Sequence, residues 1–260
     1  MGLPKIYIIS LRDASERRER ISSQFKESDL QPEFLDAVDG RNGKQHPLFA
    51  RYNEKKRVRW KGAPLSGGQL GCFASHYLIW QKVATNNIPA VILEDDARID
   101  MRRFQEFLRN IPQARGAYEC IRLFRNKSRR QKAYVVEKLG EASVCKFTKG
   151  HMSTTGYFLK PSGAKKLLEH AEEWLLPVDM YMDQFWRNGV ECYGLVPPCL
   201  TNDEDFDSMI GYTSRELRPG RTPLQRLRRE LFSLINNSLK AFHNLRFRIT
   251  NPCLLECKDK

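Results

Sequence analysis

The sequence predicts an α/β fold in which helices flank a mostly parallel sheet. Residues 5–11 form an apolar, β-rich segment, residues 15–28 a charged helical one, and residues 34–40 a second strand that ends at a glycine. Strand, helix and strand at this spacing form a βαβ unit, whose two strands run parallel. A second observation is the short apolar strand Val91-Ile92-Leu93, which leads directly into Glu94, Asp95 and Asp96. Ligands of α/β proteins bind at the carboxyl ends of strands, so this stretch also predicts a site.

The remaining elements follow from apolar periodicity and turn residues. Residues 41–63 are polar and basic and predict a mobile loop, after which Ser66 is a good helix N-cap. The helix that follows carries Ser75, His76 and Trp80 among apolar residues at helical spacing. Further helices are predicted near residues 104–108, 164–173 and 177–186, and further strands at 121–124, 134–136, 154–159 and 193–196.

The composition is that of a folded protein with an anionic partner. At 260 residues, 41% of them hydrophobic and 10% aromatic, the chain can build a sizeable core, which excludes a disordered protein. The net charge is +13, and residues 215–248 hold nine Lys or Arg against two Glu. Such a charge favours phosphate ligands, nucleic acid or an acidic membrane surface. No nucleic-acid-binding motif accompanies it, so we expect no nucleic-acid partner.

Cysteine spacing and hydropathy indicate the compartment. The seven cysteines are scattered without a zinc-binding spacing, which is typical of reduced thiols in a cytosolic protein. The N-terminal residues lack the regions of a signal peptide, and no apolar run approaches the roughly 20 residues that span a bilayer. We therefore expect a soluble or peripheral protein.

The acids after the third predicted strand carry the first functional hypothesis. Adjacent carboxylates repel one another unless a cation or a positive partner compensates them. Oxygen ligands of this kind suit Mg²⁺ or Mn²⁺, which is often shared with a substrate diphosphate. In an extended chain Glu94 and Asp96 point to one side and Asp95 to the other. The alternative is a solvated acidic turn without a ligand.

Several blocks, taken in order, resemble glycosyltransferase family 25, which includes bacterial lipooligosaccharide and lipopolysaccharide transferases. The matching blocks lie within residues 5–211 and are Ile8-Ile9-Ser10-Leu11 with Arg17-Arg18, Asp36-Ala37-Val38-Asp39-Gly40, Gly71-Cys72 with Ser75-His76 and Trp80, Leu93-Glu94-Asp95-Asp96, Thr155-Gly156-Tyr157 with Gly163-Ala164-Lys165, and Pro177-Val178-Asp179. The resemblance implies a GT-A type, Rossmann-like fold that binds a nucleotide sugar. It also implies inverting transfer of a hexose, galactose or glucose, from a UDP-sugar donor to a lipooligosaccharide or lipopolysaccharide acceptor, generally with a divalent metal.

Within this family, the strand-end acids are expected to hold the metal and the donor. We expect Asp96 to bind Mn²⁺ or Mg²⁺ and Glu94 to bind the metal or the ribose, because the ion would stabilise UDP as it departs. Asp95 is expected at the nucleotide sugar or, since it faces away in an extended chain, bonded to backbone. His76 is expected near the donor, with a simple structural hydrogen bond as the alternative, and Trp80 in the core.

Residues at the ends of the first two strands are candidates for nucleotide contacts. The turn after the first strand is expected to bind uridine and diphosphate through Ser10, Arg12 and Arg17. Arg17 would equally suit a solvated helix position. Asp39 either bonds to the uracil or ribose or caps the turn that follows it.

An inverting transferase needs a base that takes the proton from the acceptor hydroxyl. Asp179 and Asp183 stand four residues apart and can share one helix face. We expect Asp179 to be the base and Asp183 to help bind the acceptor, with helix N-capping as the alternative role of Asp179. A second acidic cluster either supplies a third metal ligand or forms a solvated loop, and it consists of Asp203, Glu204, Asp205 and Asp207.

Two regions are expected, a GT-A-like catalytic domain over residues 1–212 and a basic helical tail over residues 213–260. Apolar residues of the tail recur at helical spacing and form one face with arginines and Lys240 around it, namely Leu224, Leu227, Leu231, Leu234, Ile235 and Leu239. A basic amphipathic helix of this kind binds its own domain, a second copy of the chain in a homodimer, or an anionic membrane surface. The membrane interpretation places the protein on the inner face of the bacterial cytoplasmic membrane.

Two other functions compete with glycosyl transfer. The basic charge would suit a nucleic-acid-binding protein, and the fold would also suit a non-catalytic interaction module. The intact stretch Glu94-Asp95-Asp96 favours the enzyme.

Overall fold

The computed structural model describes residues 3–124, 132–202 and 222–257. Its strands are β1 Lys5–Ser10, β2 Glu33–Asp36, β3 Ala90–Glu94, β4 Ala97–Ile99, β5 Cys120–Arg122, β6 Ala133–Leu139, β7 Ala142–Phe147, β8 Gly156–Leu159, β9 Tyr193–Val196 and β10 Leu200–Asn202. Its helices are α1 Ser15–Ser23, α2 Glu54–Lys61, α3 Gly67–Asn86, α4 Met101–Asn110, α5 Pro161–Glu169, α6 Val178–Met182, α7 Phe185–Asn188 and α8 Pro223–Thr250. The acidic cluster at residues 203–207 lies outside the described ranges.

Eight strands form one sheet in the order β2-β1-β3-β8-β5-β9-β7-β6, and β4 pairs with β10 beside it. β2, β1 and β3 are parallel to one another, and β9 is parallel to β5. β8 is antiparallel to its neighbours β3 and β5, and β7 is antiparallel to β9 and β6. Six of the eight strands therefore run in one direction. The predicted α/β fold with a mostly parallel sheet is confirmed.

The sheet is covered on both faces, because successive side chains of a strand point to opposite sides. Tyr7 and Ile92 belong to a core cluster shared with α3, α5 and α6. Ile8 and Val91 belong to a second cluster shared with α1 and α4. The continuous apolar run of β3 is explained by this burial on two faces.

Two local predictions were wrong, and one strand of the main sheet was missed. The segment 41–63 contains helix α2, which Asn53 caps by accepting from the Lys56 N–H, and which ends at Gly62 in the left-handed region at φ 81°. The helix predicted over residues 177–186 is divided into α6 and α7. Strand β7 was not predicted, and it pairs with β6 after a turn in which Gly140 has φ 64°. The ends of α2 and the turn before β7 depend on single capping or turn residues rather than on apolar periodicity.

The predicted tail helix is present as α8, and its less apolar side contacts α2 and the segment 184–191. The Trp60 and Phe232 rings lie 6.0 Å apart, and Asn236, 7% exposed, accepts from Gln184 Nε2 at 3.1 Å. His243 Nε2 lies 2.8 Å from Glu191 Oε2.

The leucines and isoleucines of α8 point away from these contacts. All six leucines and isoleucines of the predicted face are exposed, and the face continues through Phe242, Leu245 and Ile249, which are 69%, 57% and 70% exposed. We call this surface the α8 stripe. None of the described helices combines the length and the apolar character needed to cross a bilayer.

Candidate active site

The carboxyl ends of β1, β2 and β3 lie side by side, because Ile9 is in register with both Leu35 and Glu94. The residues at these ends line an open pocket of about 710 Å³, which we call the strand-end pocket. The predicted site residues that line it are Ser10, Arg17, Asp39, His76, Glu94, Asp95 and Asp96.

Direct backbone contact between the segment after β2 and the start of α3 forms one wall. A Cβ at Gly67 would lie 1.9 Å from the Gly40 carbonyl oxygen, and one at Gly71 would lie 2.4 Å from that of Val38. The Val38 N–H donates to Ser75 Oγ at 2.8 Å, and the Ser75 hydroxyl donates to the Gly71 carbonyl at 2.7 Å. Only glycine permits this approach, so Gly67 and Gly71 determine how closely α3 approaches the segment after β2.

Among the described residues, Asp95 is bonded to side chains rather than to backbone, which the extended-chain argument had suggested. β3 ends at Glu94, and Asp95 lies in the turn before β4. Its carboxylate accepts from Ser10 Oγ at 2.7 Å and from Arg17 Nη1 at 2.7 Å. Ser10 and Arg17 therefore hold Asp95 at the pocket. Their direct contacts with uridine and diphosphate stay predictions.

Arg12, predicted to contact the nucleotide, is exposed and is not among the residues that line the strand-end pocket. Arg18, in contrast, makes hydrogen bonds that hold this turn in place. It donates to the Leu11 carbonyl at 3.1 Å and to the Ser10 carbonyl at 2.9 Å, and it also pairs with Asp36. Arg18 thus fixes the turn that follows β1.

Asp39 occupies the turn-capping position. Its carboxylate accepts from the Arg41 backbone N–H at 3.0 Å and from Arg41 Nε at 2.8 Å, and it also contacts Lys44. Hydrogen bonds from Arg41 and then Lys44 hold the pKa of Asp39 well below its usual value. A ligand contact by Asp39 stays a prediction, because these cations already engage both carboxylate oxygens.

Glu94 is bonded to three residues from other parts of the chain. Its Oε1 accepts from Thr154 Oγ1 at 2.6 Å and from His76 Nε2 at 3.1 Å, and the Cys72 thiol lies 4.0 Å away. Burial acts to raise the pKa of Glu94, but the bonds from His76 and Thr154 outweigh it and hold the pKa below its usual value. Glu94 is therefore ionised. Its hydrogen bonds to described residues all use Oε1, which leaves Oε2 for a ligand.

A chain of hydrogen bonds fixes the His76 ring. Trp80 Nε1 donates to the Tyr157 hydroxyl at 2.9 Å, and this hydroxyl lies 2.8 Å from His76 Nδ1. Because the hydroxyl accepts from Trp80, it can donate to Nδ1, which places the ring proton on Nε2 facing Glu94. His76 and Trp80 are completely buried. Trp80 is a core residue, as predicted, and His76 orients Glu94.

Asp96 presents a buried oxygen without a protein partner. Its Oδ1 makes no hydrogen bond to any residue in the described ranges. Burial, and then the nearby charge of Glu94, raise the pKa of Asp96 to about 7. A carboxylate in this position destabilises the fold unless a cation compensates it.

Glu94 and Asp96 fit a divalent cation on these grounds. Both offer hard oxygen atoms to the same pocket, and a cation bound there would supply positive charge for a diphosphate. Atoms of Cys72, His76 and Glu94 also lie within 4.8 Å of one another. In that group His76 bonds to Glu94, and burial raises the pKa of the Cys72 thiol well above its usual value. We interpret it as a hydrogen-bonded cluster.

Asp179 lies in the first turn of α6, after the N-cap Pro177, so it is not itself the N-cap. It is close enough to the strand-end pocket for its charge to raise the pKa of the Cys72 thiol. Burial raises the pKa of Asp179, and Glu94 raises it further, although backbone N–H groups and Arg122 oppose the shift. A carboxylate with a raised pKa is suited to accept a proton near neutral pH.

The Asp183 carboxylate accepts hydrogen bonds from three residues of the surrounding fold. Its Oδ1 accepts from Arg122 Nη2 at 3.2 Å and from the His151 N–H at 3.1 Å, and its Oδ2 accepts from the Met152 N–H at 2.7 Å. A Cβ at Gly150 would lie 2.1 Å from the Asp183 Cγ, so residues 150–152 wrap around the carboxylate. Burial raises the pKa of Asp183 to about 6. Asp183 thus anchors the loop between β7 and β8.

Sequence reasoning did not assign roles to Thr154, Tyr157 and Arg122. Thr154 bonds to Glu94, Tyr157 orients His76, and Arg122 compensates Asp183. Tyr157 lies in a block that resembles the family, which was the one available signal. The pairing of β8 beside β3 brings these residues to the acids.

Comparison with known proteins agrees with this geometry. Residues 3–182 match the family described as glycosyltransferase family 25 (LPS biosynthesis protein). A glycosyltransferase 25 family member of Aedes aegypti is 33% identical over 196 residues, which are 72% of this chain and 32% of the relative. Procollagen galactosyltransferase 2 of Homo sapiens is 29% identical over 192 residues, 70% of this chain and 30% of the relative.

A further relative carries a different name. The inactive glycosyltransferase 25 family member 3 of Mus musculus is 29% identical over 222 residues, 76% of this chain and 36% of the relative. The chain spans about a third of the length of these curated relatives. Since the family match covers most of the chain and includes every residue that lines the strand-end pocket, the chain belongs to glycosyltransferase family 25.

Proposed function

We propose that this chain is an inverting glycosyltransferase that moves a hexose, galactose or glucose, from a UDP-sugar to a lipooligosaccharide or lipopolysaccharide acceptor. The observation that carries the proposal is the unpartnered Asp96 oxygen beside ionised Glu94 in the strand-end pocket. Such a site favours a cation, and a nucleoside diphosphate is a ligand that binds together with one. The names of the procollagen galactosyltransferases support sugar transfer, with galactose as one donor sugar.

The residues divide the chemistry between them. Glu94 and Asp96 would hold Mn²⁺ or Mg²⁺, and the bound ion would stabilise the negative charge of the UDP leaving group. Asp179 takes the proton of the acceptor hydroxyl while the hydroxyl oxygen attacks the anomeric carbon from the side opposite UDP. This single displacement inverts the anomeric configuration. The raised pKa of Asp179 supports its role as the base.

Thermal stabilisation by nucleotide sugars tests the proposal. A bound ligand stabilises the folded chain by mass action, so UDP-galactose or UDP-glucose with Mn²⁺ should raise the melting temperature. EDTA should cancel the effect, and GDP-mannose is the matched control donor. Transfer to a short soluble saccharide is then measured with the stabilising donor. A chain that no UDP-sugar stabilises, with or without Mn²⁺, contradicts the proposal.

A non-catalytic role is the second candidate, because some relatives are named inactive. Hydrolysis of the UDP-sugar without acceptor separates the two roles. An active site releases UDP slowly in a metal-dependent way, whereas an interaction module binds without releasing it.

We further propose that the α8 stripe rests on an anionic membrane surface. The stripe is apolar and exposed, and Arg226, Arg228, Arg246 and Arg248 flank it along the helix. Apolar side chains enter the headgroup boundary while cations attract anionic lipid, each worth roughly 1 kcal/mol. The charge complementarity favours lipid over a second copy of this strongly basic chain, which would repel it. The corresponding location is the inner face of the bacterial cytoplasmic membrane.

A further inference from the structure

A second cavity, of about 760 Å³, lies between α8 and the catalytic domain. We call it the tail pocket. The end of α2, the segment 149–152, helices α6 and α7, and the domain-facing side of α8 all contribute to it, and it shares no lining residue with the strand-end pocket. The nucleotide proposal therefore does not use it.

The tail pocket is basic. Lys61, Lys149 and Lys240 come from three different elements and all line it. None of them pairs with an acid in the described ranges, and Asp183, the acid of the lining, is already bonded to Arg122. Burial and nearby cations lower the pKa of Lys61 to about 8 and lower that of Lys240. Uncompensated ammonium groups in a cavity favour an anionic ligand.

The remaining walls suit a saccharide. Trp186 and Phe232 supply aromatic surface, and Lys240 and Lys61 lie 5.5 Å and 4.0 Å from their respective ring centres. Trp186 Nε1 is buried and has no acceptor among the described residues. A buried donor without a partner marks a position where a ligand oxygen can bind. Aromatic faces with a few polar groups are typical of sites that orient a small polar ligand.

Helix α6 joins this cavity to the candidate base. Asp179, in its first turn, interacts electrostatically with Glu94 and Cys72 of the strand-end pocket. Met180 and Asp183, from the same helical segment, line the tail pocket. A ligand in the tail pocket would therefore contact the same helical segment that carries the candidate base.

Building on the proposed function, we propose that the tail pocket binds the acceptor and that the acceptor is an acidic saccharide, one that carries a phosphate monoester or a carboxylate. The three lysines would bind the anionic group, and the aromatic side chains would pack against the sugar ring. This assigns the acceptor class to a site formed jointly by the catalytic domain and α8.

Binding of saccharide probes to the full chain tests the proposal. With UDP and Mn²⁺ saturating the strand-end pocket, glucose 6-phosphate and glucuronate should bind at least about tenfold more tightly than glucose. Lys61→Gln and Lys240→Gln should each weaken the acidic probes by about fivefold to tenfold. Lys55→Gln is the matched control, because Lys55 is an exposed lysine of α2 outside the pocket. UDP affinity should not change in any variant.

Four results would overturn the proposal. Equal binding of glucose and the acidic probes would contradict an acidic acceptor. Lysine variants that bind the probes like the wild type would show that the tail pocket is not the binding site. Inorganic phosphate that binds as tightly as glucose 6-phosphate would show an ion site without saccharide recognition. If the same lysines affected only binding to phosphatidylglycerol vesicles, the anion would be a lipid headgroup. Donor hydrolysis of the wild type, measured without acceptor, tests the transferase activity independently of these probes.

Discussion

Arg122 Nη2 and Asp183 Oδ1 lie 3.2 Å apart, with side chains that are only 5% and 10% exposed. Arg122 also donates from Nη1 to the Ser153 carbonyl at 2.9 Å. The pair therefore fixes the loop between β7 and β8, whose Thr154 bonds to Glu94. Of the two aspartates that stand four residues apart, Asp183 positions a loop, and Asp179 stays the candidate base.

Asp183→Asn is expected to destabilise the fold. It leaves the buried Arg122 guanidinium without its counter-charge, and breaking such a pair costs about 3 kcal/mol or more. Chemical denaturation followed by circular dichroism measures the loss. A variant as stable as the wild type but slower in transfer than Asp179→Asn would exchange the roles of the two residues.

Asp179→Asn is expected to lower the transfer rate by about 10²-fold or more while UDP affinity and stability are kept. The amide preserves shape but cannot accept the proton. In the wild type the rate should fall as pH drops through the raised pKa of Asp179, because the base must be deprotonated. The variant should lose this dependence. Parallel losses in UDP affinity and rate would indicate a structural role instead.

Asp96→Asn is expected to abolish metal-dependent transfer and to stabilise the metal-free protein at neutral and higher pH. The folded-state pKa of about 7 lies above the ordinary 3.8, so the folded state binds the extra proton between these values. Stability is therefore lost as pH rises from about 4 through 7.

Melting temperatures at pH 6 and pH 8 in EDTA measure this effect. The difference between variant and wild type should grow with pH, with roughly 2–4 °C for each kcal/mol. Mn²⁺ should restore the wild type at pH 8 and leave the variant unchanged. A difference that is constant with pH would mean that Asp96 is not the strained group.

The paired substitution Leu227→Gln and Leu234→Gln is expected to weaken binding to phosphatidylglycerol vesicles at least about tenfold. Both side chains are more than 60% exposed and face away from the tail pocket, so transfer to a short soluble acceptor should not change. Removal of α8 is a poorer test, because it also removes one wall of that pocket. Leu255→Gln is the control, since Leu255 is 76% exposed and lies outside α8.

Sedimentation velocity distinguishes the alternative partner. If the wild type is a dimer and the paired leucine variant is a monomer with unchanged vesicle binding, the stripe binds a second copy of the chain. If high salt leaves vesicle binding unchanged, attraction between the arginines and anionic lipid does not contribute to binding, which contradicts that part of the membrane proposal.

Local sequence signals predicted much of the fold and of the acidic side of the pocket. Ser66 and Gln69 form a capping box at the start of α3, and the spacing of leucines predicted α8. Glu94, Asp95 and Asp96 lie where a strand followed by carboxylates places them. In each case the information is contained within one helix or one strand and its turn.

Other features depend on pairs of residues that are distant in sequence. Thr154 meets Glu94 across 60 residues because β8 is antiparallel to β3, and Arg122 of β5 meets Asp183, which follows α6, across 61. Neither apolar periodicity nor spacing specifies which strand lies next to β3. The leucine spacing also did not indicate which side of α8 contacts the rest of the chain, since these contacts use Asn236 and His243 rather than leucines.

Helix α8 also has a geometric consequence. The tail pocket is on one side of this 28-residue helix and the stripe is on the other. An α-helix with its side chains is about 10–12 Å thick. If the stripe lies on lipid, the helix acts as a spacer of fixed thickness between the headgroup layer and the tail pocket. The height of an acceptor sugar above the bilayer would then decide whether it reaches the tail pocket. Saccharides that end close to the lipid would be elongated in preference to longer ones.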